Sequence, residues 1–135
     1  MVKTGHQLLL ESIPEEVIHI QIADWLSKVL FPDTYFTTVE VSNQQGGNAG
    51  RNKQGRNKRR GVKTSFPDIL IIHKGQCYLM EVKKHGKHAT KDQLEEHNKI
   101  RAAGGIVHDD SVHNIDEARI FLKKHNISTR EIGYD

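Results

Sequence analysis

The chain has 135 residues, of which 36% are hydrophobic and 27% are charged, and its formal net charge is +3. This length suits one domain with a modest core, and the low hydrophobic content predicts a long polar insertion within a single domain at 1–135. No apolar run approaches the roughly 20 residues of a membrane span or forms a signal-peptide core, so we expect no membrane partner. The single cysteine, Cys77, excludes an internal disulfide and a multi-cysteine zinc site.

After a short helix or loose arm at residues 1–10, the first strong helical pattern covers residues 14–30. Its apolar stripe consists of Ile18, Ile22, Trp25, Leu26 and Val29. Ser12 is a candidate N-cap, and Glu15 follows it at capping-box spacing. Glu15 is also in register with the apolar stripe, so its carboxylate has a rival role as a metal ligand, with Glu16 as the alternative.

A strand predicted over residues 34–41 leads into a polar segment, about residues 43–60, that we interpret as a flexible basic loop. The basic residues between positions 51 and 63 are Arg51, Lys53, Arg56, Lys58, Arg59, Arg60 and Lys63, with no acid among them. Removing these seven charges turns the formal net charge from +3 into −4. This local concentration of positive charge predicts a polyanionic partner that is bound through its phosphates. The alternative is a solvated linker or a basic run like a nuclear-import signal.

Residues 66–83 predict a β-hairpin around which the rest of the chain is organised. Residues 69–72 form an apolar, β-branched run, and residues 78–82 form a second strand. Lys74 and Gly75 between them are typical of a turn.

Three charged side chains lie on this otherwise apolar hairpin. Asp68 begins the first strand, Glu81 interrupts the second, and Lys83 shares a face with Glu81 because side chains alternate along a strand. The alternative explanation is that edge strands often carry charge simply to discourage aggregation. These two strands are otherwise apolar enough to be central in the sheet, which favours a functional role for the charges. Two carboxylates beside an ammonium therefore predict a divalent-metal site.

The remaining chain predicts a helix over residues 91–103 capped by Thr90, a strand over 106–108, and a helix over 115–124 capped by Asn114. One side of the first of these helices carries Gln93, Leu94, His97, Ile100 and Arg101. The core candidates in the second are Ala118, Ile120, Phe121 and Leu122. The order α-β-β-β-α-β-α predicts an α/β fold with a central mixed β-sheet flanked by helices.

Taken together, these motifs resemble the PD-(D/E)xK nuclease superfamily and, within it, the VRR-NUC group of virus-type replication and repair nucleases. The pattern of that group is a Gly-x-Pro-Asp, a Glu-x-Lys, and a glutamine on the following helix. The matching stretches are Gly61-Val-Lys-Thr-Ser-Phe-Pro-Asp68, Glu81-Val-Lys83, Ala89-Thr-Lys-Asp-Gln93 and Ile100-Arg-Ala-Ala-Gly-Gly-Ile106. The resemblance covers roughly residues 14–122 and implies a restriction-endonuclease-like core.

The resemblance also implies roles for individual residues. Asp68, Glu81 and the backbone carbonyl of Val82 would bind Mg²⁺ or Mn²⁺. Lys83 would position or activate the attacking water and offset the charge of the scissile phosphate. Gln93 would orient the lysine or the water.

Three positions test how closely the chain follows the group. The helical glutamate of the family matches Glu15, which makes it a candidate third carboxylate ligand. His19 stands where a glutamine is more usual, and Ser65 stands where a glycine more often precedes x-Pro-Asp.

The resulting hypothesis is a divalent-metal-dependent DNA endonuclease, structure-specific for branched or junction DNA in replication, repair or recombination. It would contact the DNA backbone more than the bases. The alternative is a non-catalytic nucleic-acid-binding module using residues 51–63, and a third interpretation is an interaction domain without a nucleic-acid partner. Analogy with stand-alone relatives predicts a homodimer, and the small size predicts a phage or prophage origin and a cytoplasmic location in a bacterial or phage-infected cell.

Overall fold

The computed structural model describes residues 2–40, Arg56 and residues 59–131, so Arg51, Lys53 and Lys58 of the predicted basic segment lie outside the described residues. The elements in chain order are α1 (Gly5–Glu11), α2 (Glu15–Val29), β1 (Thr34–Thr38), β2 (Ile69–His73), β3 (Gln76–Met80), α3 (Lys91–Ala102), β4 (Ile106–Val107) and α4 (Ile115–Lys124). This is an α/β arrangement in which helices flank one mixed sheet. Within the described ranges, no helix has the length and hydropathy needed to cross a membrane.

The sheet has the strand order β1-β2-β3-β4, so the predicted hairpin occupies its centre. β2 pairs antiparallel with both β1 and β3, whereas β4 runs parallel to β3. The hairpin turn is Lys74 and Gly75, as predicted, with φ angles of 49° and 79°. A two-residue turn with both φ angles positive matches the right-handed twist of the strands it joins.

The core lies between one sheet face and the helices α2 and α4. The fully buried side chains in this layer include Ile18, Ile22, Leu26, Ile69, Ile71, Met80 and Leu122. Helix α3 is close to β4 and to Leu79, which alternates with Met80 along β3. Side chains on the hairpin face opposite the core, such as Leu79, therefore point towards α3. The end of the hairpin thus lies between α3 on one side and the core layer of α2 and α4 on the other.

Both predicted helix caps in the second half of the chain are confirmed. The Thr90 hydroxyl accepts a hydrogen bond from the Gln93 amide, and the Asn114 side chain accepts one from the Glu117 amide. These caps satisfy backbone N–H groups that have no partner inside the helix.

The predicted capping box of Ser12 and Glu15 is wrong. Ser12 ends α1, where its hydroxyl donates to the Leu9 carbonyl, and Pro14 is the N-cap of α2 without a side-chain hydrogen bond. The Glu15 carboxylate is therefore not used for capping. Two further differences are that the first strand ends at Thr38, and that Ile120 is 66% exposed although we predicted it in the core.

Candidate metal centre

The two predicted carboxylates lie opposite each other at the open end of the hairpin. The β2–β3 register pairs Ile69 with Met80, and its continuation by one residue pairs Asp68 with Glu81. Side chains that are directly opposite on antiparallel strands have Cβ atoms about 5 Å apart. The two carboxyl groups are within hydrogen-bonding reach, and the Asp68 Oδ2 atom also accepts the Val82 amide at 2.8 Å.

Glu81 is an acid in an environment that strongly favours its neutral form. Its side chain is only 2% exposed. Burial, followed by the hydrogen bond and the negative charge of Asp68, raises the pKa of Glu81 to about 10. Lys83 opposes this shift, and Glu15 adds a smaller repulsion. A divalent cation would reverse the balance, because it replaces the repulsion between two carboxylates by attraction.

The segment just after β3 that carries Glu81 is held in place by hydrogen bonds to the 111–113 segment. The Val112 amide donates to the Glu81 carbonyl at 2.7 Å, and the Lys83 amide donates to the Val112 carbonyl at 3.0 Å. No described residue donates to the carbonyl of Val82, and Pro67, which the register places opposite Val82, has no N–H group. This carbonyl oxygen is thus available at the edge of the carboxylate pair.

Lys83 follows Glu81 by two residues and is half-buried. Its charge lowers the pKa of Glu81, so the ammonium group lies within electrostatic range of the carboxylates. It forms no ion pair with any carboxylate in the described part of the chain. A cation that approaches the acid pair without being paired to it is suited to contact an anionic ligand there.

Gln93 and Glu15 are less closely associated with the carboxylate pair. The Gln93 side-chain oxygen accepts the Thr90 amide at 2.8 Å, which completes a capping box and leaves its amide nitrogen as a donor to a water molecule. A bond from the Lys83 ammonium would need the second lone pair of the same oxygen. Glu15 is exposed at the first residue of α2. With Glu16, His19 and Glu40 it lines a concave acidic cleft. Both helical glutamates therefore line the same concave space, and the charge of Glu15 raises the pKa of Glu81.

The donor set fits magnesium or manganese better than zinc. Among residues 2–40, 56 and 59–131, no three His, Cys, Asp or Glu side chains form a group that could hold a metal ion. Magnesium, however, is commonly bound by one or two carboxylates, with waters and substrate phosphates completing the shell. Asp68, Glu81 and the Val82 carbonyl match that pattern in number and in chemistry.

A buried histidine behind Glu81 is the residue of this site to which we assigned no role from the sequence. His97 is the only buried residue of α3, and its Nε2 atom is 3.7 Å from the Glu81 Oε1 atom. Burial and the nearby positive charge of Arg101 lower the pKa of His97, so its neutral form is favoured. The available signal was its position four residues after Gln93, on the side of the helix that it shares with Leu94 and Ile100.

Three other histidines form a cluster around the turn that follows Lys83. The ring of His113 is 5.9 Å from the ring of His85 and 6.0 Å from that of His88. The two nitrogens of His113 face the Glu117 carboxylate at 2.8 Å and the Lys87 carbonyl at 2.7 Å. Although burial alone would lower it, these acceptors raise the pKa of His113. Through His113, the cluster connects this turn to α4 and so helps to hold Lys83, which directly precedes the turn, in position.

No protein-family model, curated protein or solved structure matches this chain.

The described part of the predicted basic segment lies on the surface. Arg56, Arg59, Arg60 and Lys63 are all exposed, and the Arg60 amide donates to the Arg56 carbonyl at 3.1 Å, as in one turn of a helix. Four exposed cations close together in sequence form a positively charged surface suited to phosphates.

Proposed function

We propose that this protein is a divalent-metal-dependent DNA endonuclease with a restriction-endonuclease-like core. The observation that carries the proposal is the pair of Asp68 and Glu81, which share one end of a central hairpin within hydrogen-bonding reach. Two carboxylates held this close are destabilising unless they share a proton or a cation. The sequence resemblance to VRR-NUC nucleases supports the same assignment.

Each residue at the hairpin end has a distinct task in this proposal. Asp68, Glu81 and the Val82 carbonyl would hold the cation. When bound, the cation would offset the charge of the scissile phosphate and acidify a water molecule. Lys83 would add a positive charge beside the same phosphate, and Gln93 would hold the attacking water through its amide nitrogen. An ordinary lysine keeps its proton at neutral pH, so an electrostatic role for Lys83 is favoured over that of a base.

The first test is the dependence of DNA cleavage on divalent cations. We expect nicking of plasmid, branched and flapped DNA in Mg²⁺ or Mn²⁺ and none in EDTA, because the carboxylates alone cannot offset the charge of a phosphodiester. An Asp68→Asn variant keeps an oxygen that can accept the Val82 amide, so it separates loss of the cation from loss of the fold. DNA binding without cleavage under all these conditions would instead favour the non-catalytic nucleic-acid-binding module.

The second test concerns the basic segment. If four to six of its side chains contact phosphates, the slope of log K against log salt is expected to be about −4 to −5. Replacing Arg59 and Arg60 by alanine should weaken binding and reduce the steepness of that slope by about 2. A Lys28→Ala/Lys91→Ala variant removes two exposed lysines from helices elsewhere and serves as the control. An unchanged slope in the arginine variant would exclude the segment as the DNA contact.

Three further expectations are part of the proposal. DNA would be contacted mainly through its backbone, with branched or junction DNA as the preferred substrate. A homodimer would place two equivalent sites on one branched substrate. A cytoplasmic location in a bacterial or phage-infected cell stays a prediction.

A further inference from the structure

His97 and Glu81 form a buried polar contact that falls short of a hydrogen bond. The side chain of His97 is 0% exposed and that of Glu81 is 2% exposed, with 3.7 Å between Nε2 and Oε1. This distance is too long for a hydrogen bond. Glu81 Oε1 and both ring nitrogens of His97 have no hydrogen-bond partner among the described residues.

These unpartnered buried atoms lower the stability of the fold, so packing does not explain why a histidine is present here. A buried polar atom without a partner is destabilising, and an apolar side chain of similar volume could fill the same space without that penalty. Helix α3 buries no other residue, so a leucine at position 97 would serve packing better than histidine does. The presence of a histidine at position 97 is explained if Oε1 of Glu81 moves within hydrogen-bond distance of the His97 ring.

We propose that His97 is a positioning residue for the cation site, and that its Nε2–H group donates to the Glu81 Oε1 atom when Glu81 serves as a carboxylate ligand. This inference rests on the proposed function. The two oxygens of the carboxylate then have separate partners, with Oε1 directed towards His97 and the other oxygen directed to the cation. Closing the contact to hydrogen-bond length needs a movement of about 1 Å.

The geometry also defines which tautomer is required. A neutral imidazole carries one N–H group, and here that group must be on Nε2, since Nε2 is the nitrogen that the structure places next to Oε1. A glutamine side chain can place an amide N–H group near the position of Nε2, whereas asparagine is too short and leucine has no donor. The three substitutions therefore separate the hydrogen bond from packing.

The experiment measures Mn²⁺ binding to the full chain by electron paramagnetic resonance, together with metal-free thermal unfolding and cleavage kinetics. We expect His97→Leu to weaken Mn²⁺ binding by about 10- to 100-fold, the usual effect of removing the hydrogen-bond partner of a metal ligand. The metal-free unfolding midpoint should be unchanged or higher. The kcat for cleavage should fall with little change in KM for DNA, and His97→Gln should restore most of the Mn²⁺ affinity.

A control removes a buried histidine from elsewhere. His73 is buried at the opposite end of β2 and contacts Thr34, so His73→Leu should leave Mn²⁺ affinity unchanged whatever it does to stability. Wild-type affinity in His97→Leu would overturn the inference while leaving the proposed function intact. If His97→Leu does not fold, equal Mn²⁺ affinities of His97→Gln and His97→Asn would overturn it. If the wild-type protein does not bind Mn²⁺, the proposed function fails and the inference fails with it.

Discussion

Replacing Lys83 with alanine is expected to lower the cleavage rate by about 10²- to 10⁴-fold, the scale for removing one positioned electrostatic or proton-transfer group. The ammonium is half-buried, unpaired within the described residues and close enough to lower the pKa of Glu81, so its charge acts where a phosphate would be bound. The basic segment is unchanged in this variant. DNA binding, measured by gel shift at moderate salt, should therefore be largely kept.

The adjacent lysine provides the matched control for this prediction. Lys84→Ala removes the same charge one position along, from a residue that is not among the charges that shift the pKa of Glu81. It should lower the rate by less than a few-fold. Normal cleavage by the Lys83 variant, or an equal loss in both variants, would contradict an electrostatic role specific to Lys83.

Replacing Glu81 with glutamine is expected to stabilise the metal-free protein at neutral and alkaline pH and to abolish its stabilisation by divalent cations. Glutamine is neutral at every pH, and its amide can donate to Asp68 as a protonated glutamate does. The buried charge that wild-type protein must accept on deprotonation is thereby removed. The same change removes one of the two carboxylates that would bind Mg²⁺ or Mn²⁺.

The sign of the pH effect follows from the direction of the shift. Folding raises the pKa of Glu81 from 4.5 to about 10. A group whose pKa is raised on folding contributes stability that is fully present below the lower value and is lost as the pH rises towards the higher one. The free energy of unfolding of wild-type protein should therefore fall as the pH rises from about 5 to about 9.

Urea unfolding in EDTA across this pH range measures the effect. Glu81→Gln should flatten the pH dependence, whereas Glu95→Gln, on the exposed surface of α3, should leave it as in wild type. Adding Mn²⁺ at 100 times its dissociation constant should stabilise wild-type protein by about 2.7 kcal/mol and the Glu81 variant by much less. Identical pH profiles for the wild-type and Glu81→Gln proteins would contradict a buried, proton-sharing Glu81.

The hairpin and its acids could be predicted from the sequence because their signals are local. Lys74 and Gly75 fix the turn, the apolar runs on either side fix the strands, and the register then determines which residues face each other. The helix caps Thr90 and Asn114 could be predicted for the same reason, since a cap depends only on the next three residues. The four-stranded mixed sheet follows from the order of these elements.

The features that could not be predicted depend on contacts between distant segments. Ser12 and Glu15 have capping-box spacing, but α1 extends to Glu11 and uses Ser12 as its own end. Ile120 fits an apolar helical stripe, yet it lies beside the short edge strand β4, which covers little of it. The role of His97 depends on Glu81 lying beneath α3, and periodicity alone cannot distinguish that position from an ordinary exposed one.

The two-residue turn of the hairpin has a further consequence for how the chain can vary. Because Asp68 and Glu81 are opposed only through the β2–β3 register, one residue inserted within either strand would move one acid to the other face of the sheet. Length changes within these two strands are thus incompatible with a shared site for the two acids, whatever residues are inserted. Homologous chains that cleave DNA by this route should differ in length at other connections and keep this one constant.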